Sequence, residues 1–171
     1  CGNRVVIEEF LTGREVSVLA FTDGKTIIPM ESSQDHKRAL DNDRGPNTGG
    51  MGAFSPNRAY TPEMAERCMR EIFKPTVEAM NKEGRKFKGV LYFGLILTSC
   101  GPKVLEYNAR FGDPETQALI PLVDNDIVEL FLGVVDNNLQ EMQVKIKNLW
   151  SICVVIVSAG YPFDYKIGEE I

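Results

Sequence analysis

The sequence is poor in cysteine and histidine, and neither residue type occurs in a spacing typical of metal or disulfide chemistry. Its four cysteines, Cys1, Cys68, Cys100 and Cys153, lie far apart along 171 residues. No C-x-x-C pair or Cys/His group is present, so the pattern favours neither a zinc site nor a disulfide framework. We therefore expect free thiols in a reducing cytoplasm.

The sequence also lacks the features that direct a protein to nucleic acid or into a membrane. The formal net charge is −5, and no long Lys/Arg run offsets it, so no general nucleic-acid surface is expected. Neither a signal peptide nor an apolar run of membrane-spanning length is recognisable. The residues are 43% hydrophobic, which is enough for one globular domain, or for one domain and part of a second.

Both ends of the sequence indicate a piece of a longer polypeptide. Residue 1 is Cys rather than Met, a predicted strand follows almost at once, and residues 166–171 carry no terminating pattern. We therefore interpret the chain as a fragment.

Apolar periodicity and turn residues predict an α+β fold built on antiparallel strands. Asp23-Gly24 is a strong signal for a two-residue hairpin turn, and Thr61-Pro62-Glu63 is typical of a helix start. Pro75 is expected to kink or restart that helix, and Gly84 to end it. Strands are predicted at residues 4–9, 15–22, 25–30, 89–98, 103–108 and 150–158, and helices at 61–84, from 113 onward and at 126–135.

Residues 103–117 combine a predicted strand with oxygen-bearing side chains. Side chains alternate along a strand, so Glu106 and Asn108 leave on one side, roughly 6–7 Å apart. A carboxylate and an amide oxygen suit Mg²⁺, which takes few protein ligands and usually binds substrate phosphates as well. Arg110 adds a planar cation for phosphate or carboxylate. The alternative is a strand end with a solvated polar face.

A glycine-rich segment precedes this stretch, at residues 45–52. Glycine permits positive φ and brings backbone N–H groups close to a ligand. No Lys-Ser or Lys-Thr follows Gly50, so the segment is not a P-loop, and it does not match a dinucleotide fingerprint. Lys37 and Arg38, just upstream, suggest anion binding, although a solvated charge run is the usual alternative. Nothing pairs His36 with a Ser or Cys nucleophile.

Two motifs together carry a resemblance to a known family. They are Leu-Glu-Tyr-Asn-Ala-Arg-Phe-Gly-Asp-Pro-Glu-Thr-Gln at residues 105–117, and Asp-His-Lys-Arg followed by Gly-Pro-Asn-Thr-Gly-Gly-Met-Gly at residues 35–52. Both resemble ATP-grasp carboxylate–amine ligases, and most closely the glycinamide ribonucleotide synthetase (phosphoribosylamine–glycine ligase) family. The resemblance implies that residues 1–139 are the C-terminal part of an ATP-grasp domain. Residues 140–171 would then be a linker and the start of a small C-terminal domain.

The resemblance also implies roles for individual residues. The hinge that meets adenine would consist of Glu8, Glu9, Phe10 and Leu11. Glu15 would hold the ribose hydroxyls, since a carboxylate accepts well from a diol. The nucleotide phosphates and the phosphoribosylamine would be faced by Lys37, Arg38 and Asn47. Glu106 and Asn108 would hold Mg²⁺ or Mn²⁺, whereas Arg110 and Asp113 would contact the transferring phosphate and the glycine end.

The implied reaction joins glycine to 5-phosphoribosylamine at the expense of ATP, through a glycyl phosphate, in purine biosynthesis. The half of the ATP-grasp fold before the hinge would be missing, so we expect a fragment that folds, does not catalyse and tends to self-associate. Two alternatives stay open. One is another ATP-grasp enzyme, related to biotin carboxylase or to phosphoribosyl-aminoimidazole carboxylation. The other is a non-catalytic nucleotide-binding or interaction module.

Overall fold

The computed structural model describes residues 4–168 and residue 170. This part of the chain has the predicted α+β character, with an antiparallel sheet and packed helices. The strands are β1 (Arg14–Thr22), β2 (Ile27–Asp35), β3 (Arg38–Leu40), β4 (Arg44–Asn47), β5 (Gly52–Ser55), β6 (Gly89–Thr98), β7 (Gly101–Asn108) and β8 (Ser151–Val154). The α-helices are α1 (Pro62–Cys68), α2 (Lys74–Lys82), α3 (Glu115–Leu119) and α4 (Ile127–Asp136).

Six of the strands form one sheet in the order β7-β6-β1-β2-β5-β8, and every neighbouring pair is antiparallel. Strands β3 and β4 form a separate small hairpin. The predicted turn between β1 and β2 is present, but it has four residues instead of two: Thr22 pairs with Ile27, and Asp23 Oδ1 accepts hydrogen bonds from the backbone N–H groups of Lys25 and Thr26. The predicted return from β6 into β7 is also confirmed.

Each face of the sheet carries its own hydrophobic core. Alternate residues of β1 point to opposite faces, which is why Val16 and Val18 pack with α1 and α2, whereas Leu19 and Phe21 pack with α4. At the N-terminal end of β1, Glu15 and Ser17 continue the face of Leu19 with polar side chains. The sheet therefore has one apolar face and one face that changes from polar to apolar along the strands.

Local sequence explains the boundaries of the helices. The Thr61 side chain accepts a hydrogen bond from the Met64 N–H at the start of α1. A π-helical turn, Met69–Phe73, separates α1 from α2, and Pro75 lies in the first turn of α2. A proline has no N–H to donate and therefore interrupts the regular i to i−4 hydrogen bonds of an α-helix. The predicted restart at Pro75 agrees with the π-helical turn that precedes α2. Gly84 follows α2 with φ of 67°.

Two predicted strands differ from the structure. Residues 4–9 form no strand, and Val5 and Ile7 are 85% and 93% exposed, because no described strand pairs with them. Residues 41–54 are not wholly irregular, since β4 and the start of β5 lie within them. The predicted strand at 150–158 is reduced to β8. Residues 142–148 are extended linker, with Val144 and Ile146 packed on the core beside α4.

No helix in the described part of the chain is long and apolar enough to span a bilayer. Cys68, Cys100 and Cys153 are free thiols, and Cys1 lies outside the described residues.

Candidate functional site

Polar residues of β1, β2 and β7 and of the β3–β4 hairpin surround two adjoining cavities, together called the polar cleft below. The larger cavity has a volume of about 700 Å³ and the smaller about 170 Å³. Glu15, Gln34, Asp35 and Lys37 line both of them, so the two spaces are continuous. Four residues predicted to bind nucleotide, Glu15, Lys37, Arg38 and Asn47, lie on the polar cleft, and the predicted metal ligand Glu106 lines the smaller cavity.

Glu106 occupies its position because of the register between β6 and β7. It lies opposite Gly94, and a bulge follows between Gly94 and Leu95. A Cβ atom at Gly94 would lie 2.8 Å from Cγ of Glu106, so glycine leaves room for the glutamate. Across the polar cleft, Nζ of Lys37 lies 3.6 Å from Oε1 of Glu106, and both side chains remain about half exposed. A partly hydrated pair of this kind can open to admit a ligand.

The donor set at β7 fits Mg²⁺ on chemical grounds. Of the two predicted ligands, Glu106 lines the smaller cavity of the polar cleft, whereas Asn108, opposite Tyr92 at the end of β7, lines a separate cavity beside α2 with Thr76 and Tyr107. Among the described residues, no group of three or more His, Cys, Asp or Glu side chains could hold a metal ion. Mg²⁺ commonly takes one or two protein ligands and completes its shell with waters and phosphates, so two oxygen donors suffice.

Asp35 was missed as a site residue, although it stands in the run that contains Lys37. Its Oδ1 atom is buried and has no hydrogen-bond partner among the described residues. Burial and the nearby carboxylates of Glu115 and Glu15 raise the pKa of Asp35 to about 6, although Lys37 acts in the opposite direction. A half-buried carboxylate with a raised pKa in a cleft is typical of functional sites.

Glu115 was also missed, because its place after Asp113-Pro114 is typical of an ordinary helix start. It is 2% exposed, and its Oε1 accepts hydrogen bonds from Tyr92 Oη at 2.9 Å and Ser17 Oγ at 3.1 Å. The two hydroxyl groups are themselves 2.8 Å apart. This network ties α3 to β1 and β6 beneath the smaller cavity.

The glycine-rich segment differs from the expected anion cradle. The backbone N–H of Gly49 donates to the Tyr161 hydroxyl, and that of Gly50 donates to Oγ1 of Thr48. Those of Thr48 and Met51 donate to backbone carbonyls of the run before β3. These donors are therefore already engaged, and the cationic groups on the polar cleft come from side chains.

The predicted hinge lies away from the polar cleft. Glu8, Glu9 and Leu11 line another cavity, of about 390 Å³, which meets the smaller cavity of the polar cleft only at Leu105. Glu9 forms an ion pair with Lys103 at 2.5 Å. The fourth hinge residue, Phe10, is 90% exposed. The structure thus does not bring these four residues together with Glu15.

Arg110 and Asp113 lie in the turn between β7 and α3 and line neither cavity of the polar cleft. The Arg110 guanidinium donates to the carbonyl of Phe111. The helix predicted from 113 onward begins later: Pro114 is the N-cap of α3, and Oδ1 of Asp113 accepts a hydrogen bond from the Gln117 side chain. An N-cap carboxylate must reach the first backbone N–H groups of the helix. Pro114 separates Asp113 from the start of α3, and the Asp113 carboxylate does not reach these groups.

Comparison with known proteins shows that this chain is similar to ligases. A family model described as "Phosphoribosylglycinamide synthetase, ATP-grasp (A) domain" matches residues 1–116. The chain is 49% identical to phosphoribosylamine–glycine ligase of Vibrio vulnificus over 171 residues, covering 99% of this chain and 40% of the relative. It is 47% identical to the bifunctional purine biosynthetic protein ADE1 of Schizosaccharomyces pombe, of which it covers 22%. The chain thus spans well under half the length of these relatives.

Solved structures agree with this relationship. The crystal structure of phosphoribosylamine–glycine ligase from Thermotoga maritima matches with a TM-score of 0.83 and 35% identity, over 93% of this chain and 40% of that one. An L-amino acid ligase from Bacillus licheniformis matches with a TM-score of 0.59 at 14% identity, over 88% of this chain and 37% of that one. The second likeness supports the fold alone.

Proposed function

Because this chain belongs to the phosphoribosylglycinamide synthetase ATP-grasp (A) domain family, we propose that its polar cleft binds ATP with Mg²⁺ or Mn²⁺. The bound nucleotide would serve the ligation of glycine to 5-phosphoribosylamine in purine biosynthesis. The observation that carries this proposal is the convergence of Glu15, Lys37 and Glu106, from three separate elements, on one continuous polar space. Relatives named phosphoribosylamine–glycine ligase supply the identity of the two substrates.

The reaction consists of two transfers. The glycine carboxylate attacks the γ-phosphate of ATP to give glycyl phosphate and ADP. The amine of phosphoribosylamine then attacks the acyl carbon and displaces phosphate, leaving glycinamide ribonucleotide. Neither step needs a covalent bond to the protein, so the side chains act by positioning the reactants and stabilising charge.

Each side chain on the polar cleft has a chemistry that suits this task. Lys37 and Arg38 would pair with phosphate oxygens, Asn47 would donate to them, and Glu15 would accept from the ribose diol. Glu106 and Asn108 would hold the divalent cation, which when bound neutralises charge on the phosphates. Lys37 pairs with Glu106 across the polar cleft, so we propose that nucleotide binding exchanges this contact for one with phosphate.

The turn after β7 would supply the remaining groups. Pro114 packs against Gly50, since a Cβ atom at Gly50 would lie 2.5 Å from Cδ of Pro114. This contact brings the turn that carries Arg110 and Asp113 beside the polar cleft. We propose that Arg110 leaves its Phe111 contact to meet the transferring phosphate, and that Asp113 lies near the glycine end.

The portion of the relatives outside the matched region would form the opposite wall of the nucleotide site. With that wall in place, residues 8–11 would contact adenine as the hinge that we predicted from sequence. Under this proposal the present 171 residues bind nucleotide weakly and do not catalyse the ligation. Residues 140–171 would start a further domain. We propose this division because the chain covers 40% of the bacterial ligases.

Calorimetric titration of the chain with MgATP tests the nucleotide site. Lys37→Met is expected to weaken binding about tenfold to a hundredfold, because a charge-assisted hydrogen bond contributes about 1.5–3 kcal/mol. Lys82→Met, in the last turn of α2 away from the polar cleft, is the matched control and should leave the affinity unchanged. Equal affinities for the wild type and Lys37→Met would reject the proposed site.

A chimera tests the reaction itself. The 171 residues replace the matching 40% of the Vibrio vulnificus ligase, and ADP release is measured with each substrate omitted in turn. The expected result is release that requires both glycine and phosphoribosylamine. Release that requires bicarbonate or another acid instead would favour a different ATP-grasp reaction.

A further inference from the structure

Tyr92 fills the space between the predicted metal ligand Glu106 and the turn that follows β7. It lies on β6, is 4% exposed, and lines the smaller cavity of the polar cleft together with Glu106. We propose that Tyr92 is a positioning residue, whose ring sets the distance between Glu106 and the β7–α3 turn that carries Arg110 and Asp113. This inference rests on the proposed function.

One edge of the Tyr92 ring lies beside Glu106. A Cβ atom at Gly94 would lie 3.4 Å from Cε1 of Tyr92 and 2.8 Å from Cγ of Glu106. Tyr92 and Gly94 are two residues apart on β6 and face the same side of the sheet, and Glu106 lies opposite Gly94 on β7. The tyrosine ring and the glutamate stem therefore share the space that the glycine leaves, and each limits the position of the other.

The other edge of the ring lies against the β7–α3 turn. A Cβ atom at Gly112, in this turn, would lie 3.2 Å from Cε2 of Tyr92 and would overlap the carboxylate of Glu115. Because Cε1 and Cε2 are the two sides of one rigid ring, the width of the ring separates Glu106 from the turn. A displacement of the ring in this packed interior would move the metal ligand, the turn or both.

The hydroxyl group of Tyr92 anchors the ring to two further elements. Tyr92 Oη donates to Oε1 of Glu115 at 2.9 Å and lies 2.8 Å from Oγ of Ser17. Glu115 belongs to α3 and Ser17 to β1, and both side chains are buried. Leaving buried polar groups without their partners is unfavourable, so this network holds the ring in one position.

A fixed separation matters for the proposed phosphoryl transfer. Glu106 would hold the divalent cation at the nucleotide phosphates, and Arg110 would meet the transferring phosphate. Both residues must reach one phosphate group at the same time, so their separation has to be set before the reaction begins. Tyr92 supplies that separation as a rigid spacer, without a covalent or acid–base role.

Tyr92→Leu tests the inference because it removes both ring edges. In the chimera it should lower kcat about tenfold to a hundredfold and leave KM for ATP unchanged, since Glu15 and Lys37 still meet the nucleotide. In the 171-residue chain with ATP, bound Mn²⁺ should show broader hyperfine lines in electron paramagnetic resonance, because Glu106 is less confined. Tyr92→Phe keeps both ring edges and should retain most of the rate.

Phe93→Leu is the matched control. Phe93 follows Tyr92 on β6, is equally buried and packs against Phe73 on the opposite face of the sheet, with ring centroids 4.3 Å apart. This variant should lose stability in urea as Tyr92→Leu does, but with unchanged kcat per folded protein and an unchanged Mn²⁺ spectrum. Gly112→Ala is an independent second test, because its methyl group would push the turn away from an intact ring and should also lower kcat.

Three results would overturn the inference. They are an equal fall of kcat in Phe93→Leu and Tyr92→Leu, an unchanged Mn²⁺ spectrum in Tyr92→Leu, and an equal loss of rate in Tyr92→Phe and Tyr92→Leu, which would assign the effect to the hydroxyl group. If Tyr92→Leu does not fold, an unchanged kcat in Gly112→Ala rejects the spacer. A wild-type chimera without substrate-dependent ADP release would reject the proposed function instead.

Discussion

At the scale of single residues, the ionisation of Asp35 links the polar cleft to the stability of the fold. Burial, with the neighbouring charges of Glu115 and Glu15, raises its pKa from 3.8 to about 6. Between these two values the unfolded chain loses the proton that the folded chain retains. Stability therefore falls as the pH rises from 3.8 to about 6, and stays lower above that range.

Asp35→Asn should remove this dependence. The variant is expected to have a higher midpoint of thermal unfolding than the wild type at pH 7.5, because an amide cannot ionise. Below the ordinary pKa of 3.8 the two proteins should unfold together. Thermal denaturation followed by circular dichroism at both pH values measures the effect. An identical midpoint at pH 7.5 would show that the raised pKa is wrong.

Glu115 is a second residue whose surroundings allow a definite prediction. Truncation to alanine leaves the hydroxyls of Tyr92 and Ser17 without their acceptor in a buried place. We expect Glu115→Ala to lower the free energy of unfolding by about 2 kcal/mol in urea denaturation. Tyr92→Phe removes one donor and keeps the ring, so its effect should be smaller. Additive effects in the double variant would contradict a coupled network.

At the scale of elements, the β6–β7 hairpin positions the predicted metal ligand. Gly94→Ala places a methyl group 2.8 Å from Cγ of Glu106 and should force that side chain to move. We expect weaker Mn²⁺ binding in the presence of ATP, measured by electron paramagnetic resonance, with little loss of stability. Gly49→Ala is the control, because its methyl group would meet only the Tyr161 hydroxyl, at 3.4 Å. Equal Mn²⁺ affinities of the wild type and Gly94→Ala would contradict the role of Glu106 as a metal ligand.

The start of α1 gives a simpler test of local structure. Thr61→Ala removes the side-chain acceptor of the Met64 N–H, and the expected loss in the free energy of unfolding is about 1 kcal/mol. Thr61→Ser retains the hydroxyl and should lose much less. Because α1 packs on the face of the sheet that carries Val16 and Val18, opposite Glu15 and Ser17, MgATP affinity should not change. A stability loss of equal size in both variants would point to the methyl group rather than the cap.

Elements were predictable from sequence where local chemistry alone fixes them. The turn at Asp23-Gly24 and the Thr61 cap both satisfy backbone donors within a few residues. Strand predictions were wrong where pairing decides the outcome. Val5 and Ile7 have strand-forming side chains but no described partner strand, and β8 ends at Val154 where its pairing with β5 ends.

At the scale of the whole molecule, the most exposed apolar side chains lie near the start of the described chain and from β8 onward. Val5, Val6, Ile7 and Phe10 are 81–93% exposed near the start of the described chain. On and after the edge strand β8, Ile152, Val154 and Ile156 are 74–95% exposed. Large exposed apolar surface and an unpaired strand edge both favour association between copies.

We therefore expect the chain to self-associate in a concentration-dependent way, as the sequence predicted. Static light scattering over a dilution series measures the mass, and Ile152→Lys should shift it toward the monomer by placing a charge on the exposed face of the edge strand. Val128→Lys, on an exposed position of α4, is the matched control. A monomeric mass at every concentration would contradict the prediction.

The sequence by itself determined the antiparallel α+β architecture and the family, and it predicted Glu106 and Asn108 as oxygen donors to a metal ion. These depend on local periodicity, turn chemistry and short motifs, which are contiguous along the chain. Only the tertiary structure decided that Glu106 faces Lys37, that the N–H groups of Gly49 and Gly50 already have acceptors, and that the charge of Glu115 acts on Asp35. Those relations join residues as many as 112 positions apart, and Asp35 comes near Glu115, 80 positions later, only because α3 packs against β2 and β5. The burial of Asp35 and the charge of Glu115, which together raise the pKa of Asp35, arise from this packing of α3.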